Sequence, residues 1–180
     1  MEQLSSQPDE VIVQMVCAHN QEYYALLMKR YQHALLRYVT SLINNEAAAQ
    51  DVVQETFIKA FINLKSFDTS KKFSSWIYRI AHNEAMNAVK KYRHETRLPD
   101  SFDLPSEQDI ELDFSQQETV EWVQQCITKL PLIYAEPLML RYVDDRSYNE
   151  ISYILRIPQN TVSSRINRAK KLMQNICQHH

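Results

Sequence analysis

The 180-residue sequence contains no glycine. Average usage of about 7% would supply roughly a dozen. The absence excludes a Gly-rich phosphate loop, a dinucleotide-binding fingerprint and a Gly-x-Ser-x-Gly nucleophile turn, since each needs backbone that glycine alone adopts cheaply. Asn-Gly and Asp-Gly hairpin turns go with it. No run approaches 18 consecutive apolar residues, so no membrane insertion is expected. The N-terminal Met-Glu-Gln-Leu-Ser-Ser-Gln-Pro-Asp-Glu lacks the basic and apolar regions of a signal peptide. Cysteine is scarce: Cys17, Cys126 and Cys177 are odd in number and far apart, with neither metal-type spacing nor a disulfide framework. That usage suits a reducing, cytoplasmic setting. Six histidines are scattered, and no His-Glu-x-x-His or carboxylate cluster marks a metal or acid–base centre, so neither enzyme activity nor a metal or other cofactor is expected.

What is present is charge, sharply segregated. The formal net charge of −2 conceals two basic blocks around an acidic one. Residues 21–98 carry twelve bases against seven acids, and residues 122–180 carry eight against four. Residues 99–121 carry eight acids and no base. Basic blocks attract polyanions, although a merely solvated surface has the same composition. The acidic stretch, with Pro99 and Pro105 and no apolar period, reads as a flexible linker over 99–116. It separates a domain at 1–98 from one at 117–180. Twenty extended residues reach at most about 70 Å.

Outside the linker the pattern is helical, so the expected fold is all-α: two small helical domains, the second a helix-turn-helix. Asp9 is expected to cap a first helix to about Ala18. A second, Gln21 to Ile43, places Tyr24, Leu27, Met28, Tyr31, Leu35, Tyr38, Val39 and Leu42 on one face. Asn45 can cap a third, Glu46 to Leu64, with Val52, Val53, Thr56, Phe57, Ala60, Phe61 and Leu64 inward. Ser74 opens a fourth to about Arg93. A fifth is expected over Gln117 to Lys129. Pro131 suits the first turn of a sixth to Tyr142, which Pro137 should kink. Two more, Tyr148 to Leu155 and Thr161 to Ile176, close the chain.

Three stretches carry candidate chemistry. In the last pair of helices, Ser147 and Glu150 form a capping-box pattern, Arg156-Ile157-Pro158 makes a short turn, and Asn160 or Thr161 caps the second helix. Val162, Ile166, Ala169 and Leu172 face inward. Gln159, Asn160, Thr161, Ser163, Ser164, Arg165, Arg168 and Lys171 face outward or open the helix. Short polar groups at a helix start reach base edges, and basic residues further along hold phosphates. A plain helical hairpin with a solvated face is the bland alternative. The turn position often filled by glycine is Arg156, where a positive φ would carry a modest strain.

The fourth helix puts Trp76, Arg79, Asn83, Asn87 and Lys90 on one stripe. Amides and Arg can bond base edges, and an aromatic ring can stack on an unpaired base, worth roughly 1–3 kcal/mol. The preceding polar loop, with Phe67 and Lys72, could cradle a base drawn from its stack. Trp76 as plain core is the competing reading. On the third helix, Asp51, Gln54, Glu55 and Lys59 form a polar ridge, which by composition alone is a solvated face with Glu55–Lys59 support.

Taken together, Asp51-Val-Val-Gln-Glu-Thr-Phe-Ile-Lys-Ala-Phe61 and Phe67-Asp-Thr-Ser-Lys-Lys-Phe-Ser-Ser-Trp-Ile-Tyr-Arg-Ile-Ala-His-Asn83 closely resemble region 2 of bacterial RNA polymerase sigma factors. Leu130-Pro-Leu-Ile-Tyr through Arg141-Tyr-Val, Ser147-Tyr-Asn-Glu-Ile and Thr161-Val-Ser-Ser-Arg-Ile-Asn-Arg-Ala resemble region 4. The short spacer makes the whole similar to the extracytoplasmic-function (ECF) group. The sequence departs from that pattern at Pro137, Ser152 and Arg156. The resemblance implies a non-enzymatic specificity subunit that binds core RNA polymerase, directs it to promoters and helps open the DNA. It implies that Asp51, Gln54, Glu55 and Lys59 dock on the largest-subunit clamp helices, with the flap as a further contact. It implies that Phe67, Lys72, Trp76, Arg79, Asn83, Asn87 and Lys90 melt and read the −10 promoter element. The residues from Gln159 to Lys171 named above would read the −35 element, the acidic linker would thread toward the active-site and RNA-exit channels, and an anti-sigma protein would cover these surfaces. The alternative is a helix-turn-helix regulator that acts without polymerase.

Overall fold

In a computed structural model of the chain, the structure describes residues 7–18, 20–96, 126, 127 and 129–178. No strand occurs among them. The helices are α1 (Asp9–Ala18), α2 (Tyr24–Ile43), α3 (Glu46–Ile62), α4 (Phe73–Thr96), α5 (Leu132–Tyr142), α6 (Tyr148–Leu155) and α7 (Gln159–Gln178). Single 3₁₀ turns sit at Gln21–Tyr23 and Leu64–Ser66. The expected linker and most of the expected Gln117–Lys129 helix lie outside the described residues.

Helices α1 to α4 form one group around the apolar stripe of α2. Leu27, Leu35, Tyr38 and Val39 are fully buried there, between Val52, Phe57 and Ala60 of α3 and Phe73, Ile77, Tyr78 and Ala81 of α4. Burying each large apolar side chain contributes about 1.5–3 kcal/mol. Caps fix the joints. Asn44 takes a left-handed conformation, φ 54°, and ends α2. Asn45 Oδ1 accepts from the Ala48 N–H and starts α3.

Several elements differ from the sequence expectation. The second helix begins with the 3₁₀ turn, capped by Asn20, and becomes α-helical only at Tyr24. Met28 is exposed, not inward. The third helix ends at Ile62, before Leu64, and Phe61 is 37% exposed beside Tyr24. Asp9 is the first residue of α1, and its carboxylate takes hydrogen bonds from Arg30 and Tyr31, so it ties α1 to α2.

Helices α5 to α7 form the second group. Leu138, Leu140, Ile151, Ile154, Leu155, Val162, Ile166 and Ala169 are its buried heart. Helix α5 continues through the buried Pro137, and Pro131 stands just before its first turn. The Ser147–Glu150 capping box is complete. Arg156 closes α6 at φ 55°, ψ 42°, the strained conformation anticipated at this non-glycine position. Ser152 Oγ donates to the Ile157 carbonyl at 2.6 Å and braces the turn from within. Helix α7 starts at Gln159, so neither Asn160 nor Thr161 is its cap. The Val162 N–H bonds the Pro158 carbonyl instead. Leu172 is only half-buried.

The two groups pack against each other, chiefly α6 on α4 and α5 on α2. That contact was not legible in the sequence.

Candidate nucleic-acid and polymerase interfaces

The loop before α4 is ordered by short-range bonds. Asp68 Oδ1 accepts from the Ser70 N–H at 3.0 Å, and the Asp68 carbonyl from the Lys71 N–H at 2.9 Å. Hydrogen bonding from the Ser70 side chain first, and from its backbone N–H second, holds the Asp68 carboxyl below its ordinary range. The loop delivers Phe67 into a three-ring cluster. Its ring lies 5.0 Å from Trp76 and 5.7 Å from Phe73. Phe67 is buried, so it backs Trp76 and does not itself present a face to solvent.

Trp76 is half-buried, with Arg79 and Asn83 beside it along α4. These three, Ile80, and Tyr153 and Arg156 from the second group line a cleft of about 320 Å³. The Arg79 guanidinium sits 4.7 Å from the centre of the Tyr153 ring, a cation–π contact. Asn87 and Lys90 continue the stripe as exposed residues beyond the cleft. Lys72 is paired at 3.1 Å with Glu150, the capping-box residue of α6. The expected stripe therefore exists as one face, but its first half lies under the helix-turn-helix.

Carboxylates hold that arrangement. Glu136 is 6% exposed, and its Oε1 accepts from Tyr38 Oη at 2.6 Å and lies 2.6 Å from His82 Nδ1. Burial, with the Glu136 charge second, holds the Tyr38 hydroxyl well above its usual range. Asp144 Oδ1 accepts from Arg37 at 2.9 Å and Tyr78 at 3.0 Å, and Arg146 lies over the Tyr78 ring. Asp144 Oδ2 and Arg146 Nε are buried without a hydrogen-bond partner among the described residues. Sequence reasoning missed Glu136, although an acid inside the apolar run Leu130 to Leu140 was a usable signal.

On α7, Asn160, Ser164, Arg168 and Lys171 are exposed, and Thr161, Ser163 and Arg165 are half-buried. Gln159 donates to Asn149 at 3.1 Å, and Ser164 to the Thr161 carbonyl at 3.0 Å. On α3, Asp51, Gln54 and Glu55 are exposed. Lys59, its side chain 41% exposed, pairs with Glu84 of α4 at 2.6 Å and only secondarily with Glu55 at 3.5 Å. The pairing with Glu84 is the main reason its ammonium is held above the ordinary lysine range. Ile58 and Ile62 share this ridge and are exposed, Ile62 at 71%. Sequence reasoning passed over both, though their spacing continues that of Asp51 and Glu55.

The Sigma-70 region 2 model matches residues 27–95, and the Sigma-70 region 4 model matches residues 120–173. The chain belongs to the ECF group of RNA polymerase sigma factors. It is 30% identical over 178 residues to the ECF RNA polymerase sigma factor SigW of Bacillus subtilis, covering 90% of this chain and 92% of the relative. It is 32% identical over 189 residues to the RNA polymerase sigma-H factor of Pseudomonas aeruginosa, covering 97% and 96%. It is 33% identical over 181 residues to the ECF RNA polymerase sigma-E factor of Escherichia coli K12, covering 93% of each chain. Two solved structures share the fold. CnrH in complex with the cytosolic domain of CnrY gives a TM-score of 0.72 at 23% identity, over 95% of this chain and 97% of that one. RpoE in complex with NepR from Bartonella quintana gives 0.68 at 22%, over 86% and 96%. As a sigma factor the chain binds core RNA polymerase, directs it to promoters and assists DNA opening. No described helix is long and apolar enough to cross a membrane.

Proposed function

We propose that the three faces divide the work of a sigma factor as follows. The α3 ridge, Asp51, Gln54, Glu55 and Lys59 with Ile58 and Ile62 continuing it toward the end of the helix, docks on the clamp helices of the largest polymerase subunit. The stripe Trp76, Arg79, Asn83, Asn87 and Lys90 captures the −10 element. Trp76 supplies the stacking plane, held from behind by Phe67 and Phe73. Phe67 contributes through that support, and Lys72 contributes phosphate contact once it leaves Glu150. The first two thirds of α7, from Gln159 to Lys171, read the −35 element, with Asn160 and Ser164 toward base edges and Arg165, Arg168 and Lys171 toward phosphates. Catalysis is left to the polymerase.

The observation that carries this reading is the single stripe of aromatic, guanidinium and amide on α4, ending in exposed Asn87 and Lys90. Because Tyr153 and Arg156 cover the stripe's first half, the α5–α7 group must swing away before a base can stack on Trp76. Polymerase engagement, by binding each group separately, supplies that swing. The shared fold with RpoE, seen in complex with the anti-sigma factor NepR, supports an anti-sigma factor as a protein partner of this chain.

The test is open-complex formation by holoenzyme on a promoter selected by this chain, followed by permanganate reactivity of unpaired thymines. Trp76→Ala is expected to lower strand opening at least tenfold while closed-complex binding to duplex changes less than threefold. Equal opening by the variant and the wild type would remove Trp76 from the −10 site.

A further inference from the structure

Cys126 and Cys177 are 51 positions apart, yet their sulfurs lie 3.1 Å apart, the Cys177 thiol donating to Cys126 Sγ. Cys126 stands in the helical stretch 126–127 just ahead of α5, and Cys177 is in the last turn of α7. Both are free thiols. Cys126 is 3% exposed, whereas Cys177 is half-buried and meets solvent. The end of α7 otherwise rests on the partly buried Leu172, Met173 and Ile176. None of the promoter or polymerase faces uses either sulfur.

We propose that Cys126 and Cys177 are a reversible redox pair, oxidised by a hydroperoxide to a disulfide that staples the end of the recognition helix to the segment entering the helix-turn-helix module. Cys177 is the attacking sulfur, because it is the one a solvent oxidant reaches. Its thiolate attacks one peroxide oxygen and the O–O bond breaks. The thiol proton ends on the departing oxygen as water, leaving Cys177 as a sulfenic acid. Cys126 sulfur then attacks Cys177 sulfur, the S–S bond forms and the S–O bond breaks. Hydroxide leaves with the Cys126 proton as a second water. Two thiols lose two electrons, and hydrogen peroxide is reduced to two waters. Two equivalents of a small thiol reverse the bond by exchange through a mixed disulfide, returning both cysteines to thiols and leaving as their own disulfide. Burial is the main reason the Cys126 thiol is pushed up to about 12, with the Cys177 contact second. Cys126 therefore waits as a thiol and acts as the resolving partner, not the sensor. The ring closed by the bond spans α5, α6 and nearly all of α7, so oxidation restrains the −35 module as a unit.

The experiment uses the full chain carrying Cys17→Ser, which removes the exposed third thiol on α1. It is treated with hydrogen peroxide, then denatured and alkylated, and its intact mass and linked peptides are read. The expected result is loss of two hydrogens, no alkylation, a Cys126–Cys177 peptide and full reversal by dithiothreitol. Oxidation should raise the unfolding midpoint of the helix-turn-helix module by on the order of 10 °C. With Cys126→Ser added, a sulfenic acid on Cys177 should become trappable by dimedone. With Cys177→Ser instead, Cys126 should stay unmodified. Full alkylation of both thiols after peroxide, intermolecular dimers alone, or a disulfide that leaves the midpoint unmoved would each overturn the proposal.

Discussion

Removing the Glu136 carboxylate is the sharpest perturbation of the arrangement between the two helical groups. Its Oε1 meets Tyr38 Oη and His82 Nδ1, each at 2.6 Å, on the far side of the interface. A hydrogen bond to a charged group is worth about 1.5–3 kcal/mol, and a buried hydroxyl left without a partner costs about 1–3 kcal/mol. Tyr38 is fully buried in the closed arrangement, so Glu136→Ala loses the bonds and also strands that hydroxyl. The closed state should weaken by about 3 kcal/mol, which moves the closed-to-open ratio by about two powers of ten. Separation frees Trp76 from Tyr153 and Arg156, so the readout is acrylamide quenching of Trp76 fluorescence in a Trp122→Phe background. Binding of a fluorescent single-stranded −10 oligonucleotide runs in parallel. Quenching should rise and oligonucleotide affinity should increase by ten- to a hundredfold. Glu136→Gln, which keeps the shape but not the charge, should fall between. Unchanged quenching and affinity in Glu136→Ala would refute both the strength assigned to these bonds and the covering role of the α5–α7 group.

Other perturbations separate the three faces. Arg165→Ala should weaken −35 duplex binding and reduce the slope of log affinity against log salt by about 1, measured by titration of the holoenzyme across salt concentrations. Ile62→Asp should cut core polymerase affinity at least tenfold while leaving stability within about 0.5 kcal/mol, because the side chain is already in water; pull-down and thermal melting check the two halves. For Glu150, burial raises the carboxyl, but hydrogen bonds from Ser147 and then Lys72 outweigh it and hold it down at about 2, against 4.5 when free. A depressed carboxyl contributes stability above its unfolded value and loses it as pH falls through the folded one. The α6 cap should therefore weaken between about pH 4.5 and 2, and Glu150→Gln should flatten that part of a pH titration of helicity. An acid limb identical in the variant would count against it.

The fold class was legible because its signals are local. Periods of three and four mark α2 and α3, Asn45 and the Ser147–Glu150 box mark helix starts, and Arg156 marks the strained turn. Boundaries slipped where neighbouring atoms decide them. Asp9 serves Arg30 and Tyr31, and α7 starts two residues early because the Pro158 carbonyl takes the Val162 N–H. The stripe on α4 could be read from spacing, but the cover over it could not, because Glu136, Asp144 and Tyr153 reach their partners across the unpatterned acidic stretch. The same holds for Cys126 and Cys177, whose sequence separation gives no hint of contact. Ile58 and Ile62 escape the sequence for another reason: nothing in an apolar pair on a helix marks it as exposed until the opposite face is known to be filled.

The most direct test of the central claim is run-off transcription by purified core polymerase on a fragment library from the source genome, with and without this chain. The account predicts a small set of transcripts that appear only when the chain is added, starting downstream of a shared pair of −35 and −10 elements. Transcript profiles that are the same with and without the chain, at concentrations that saturate core polymerase, would contradict it.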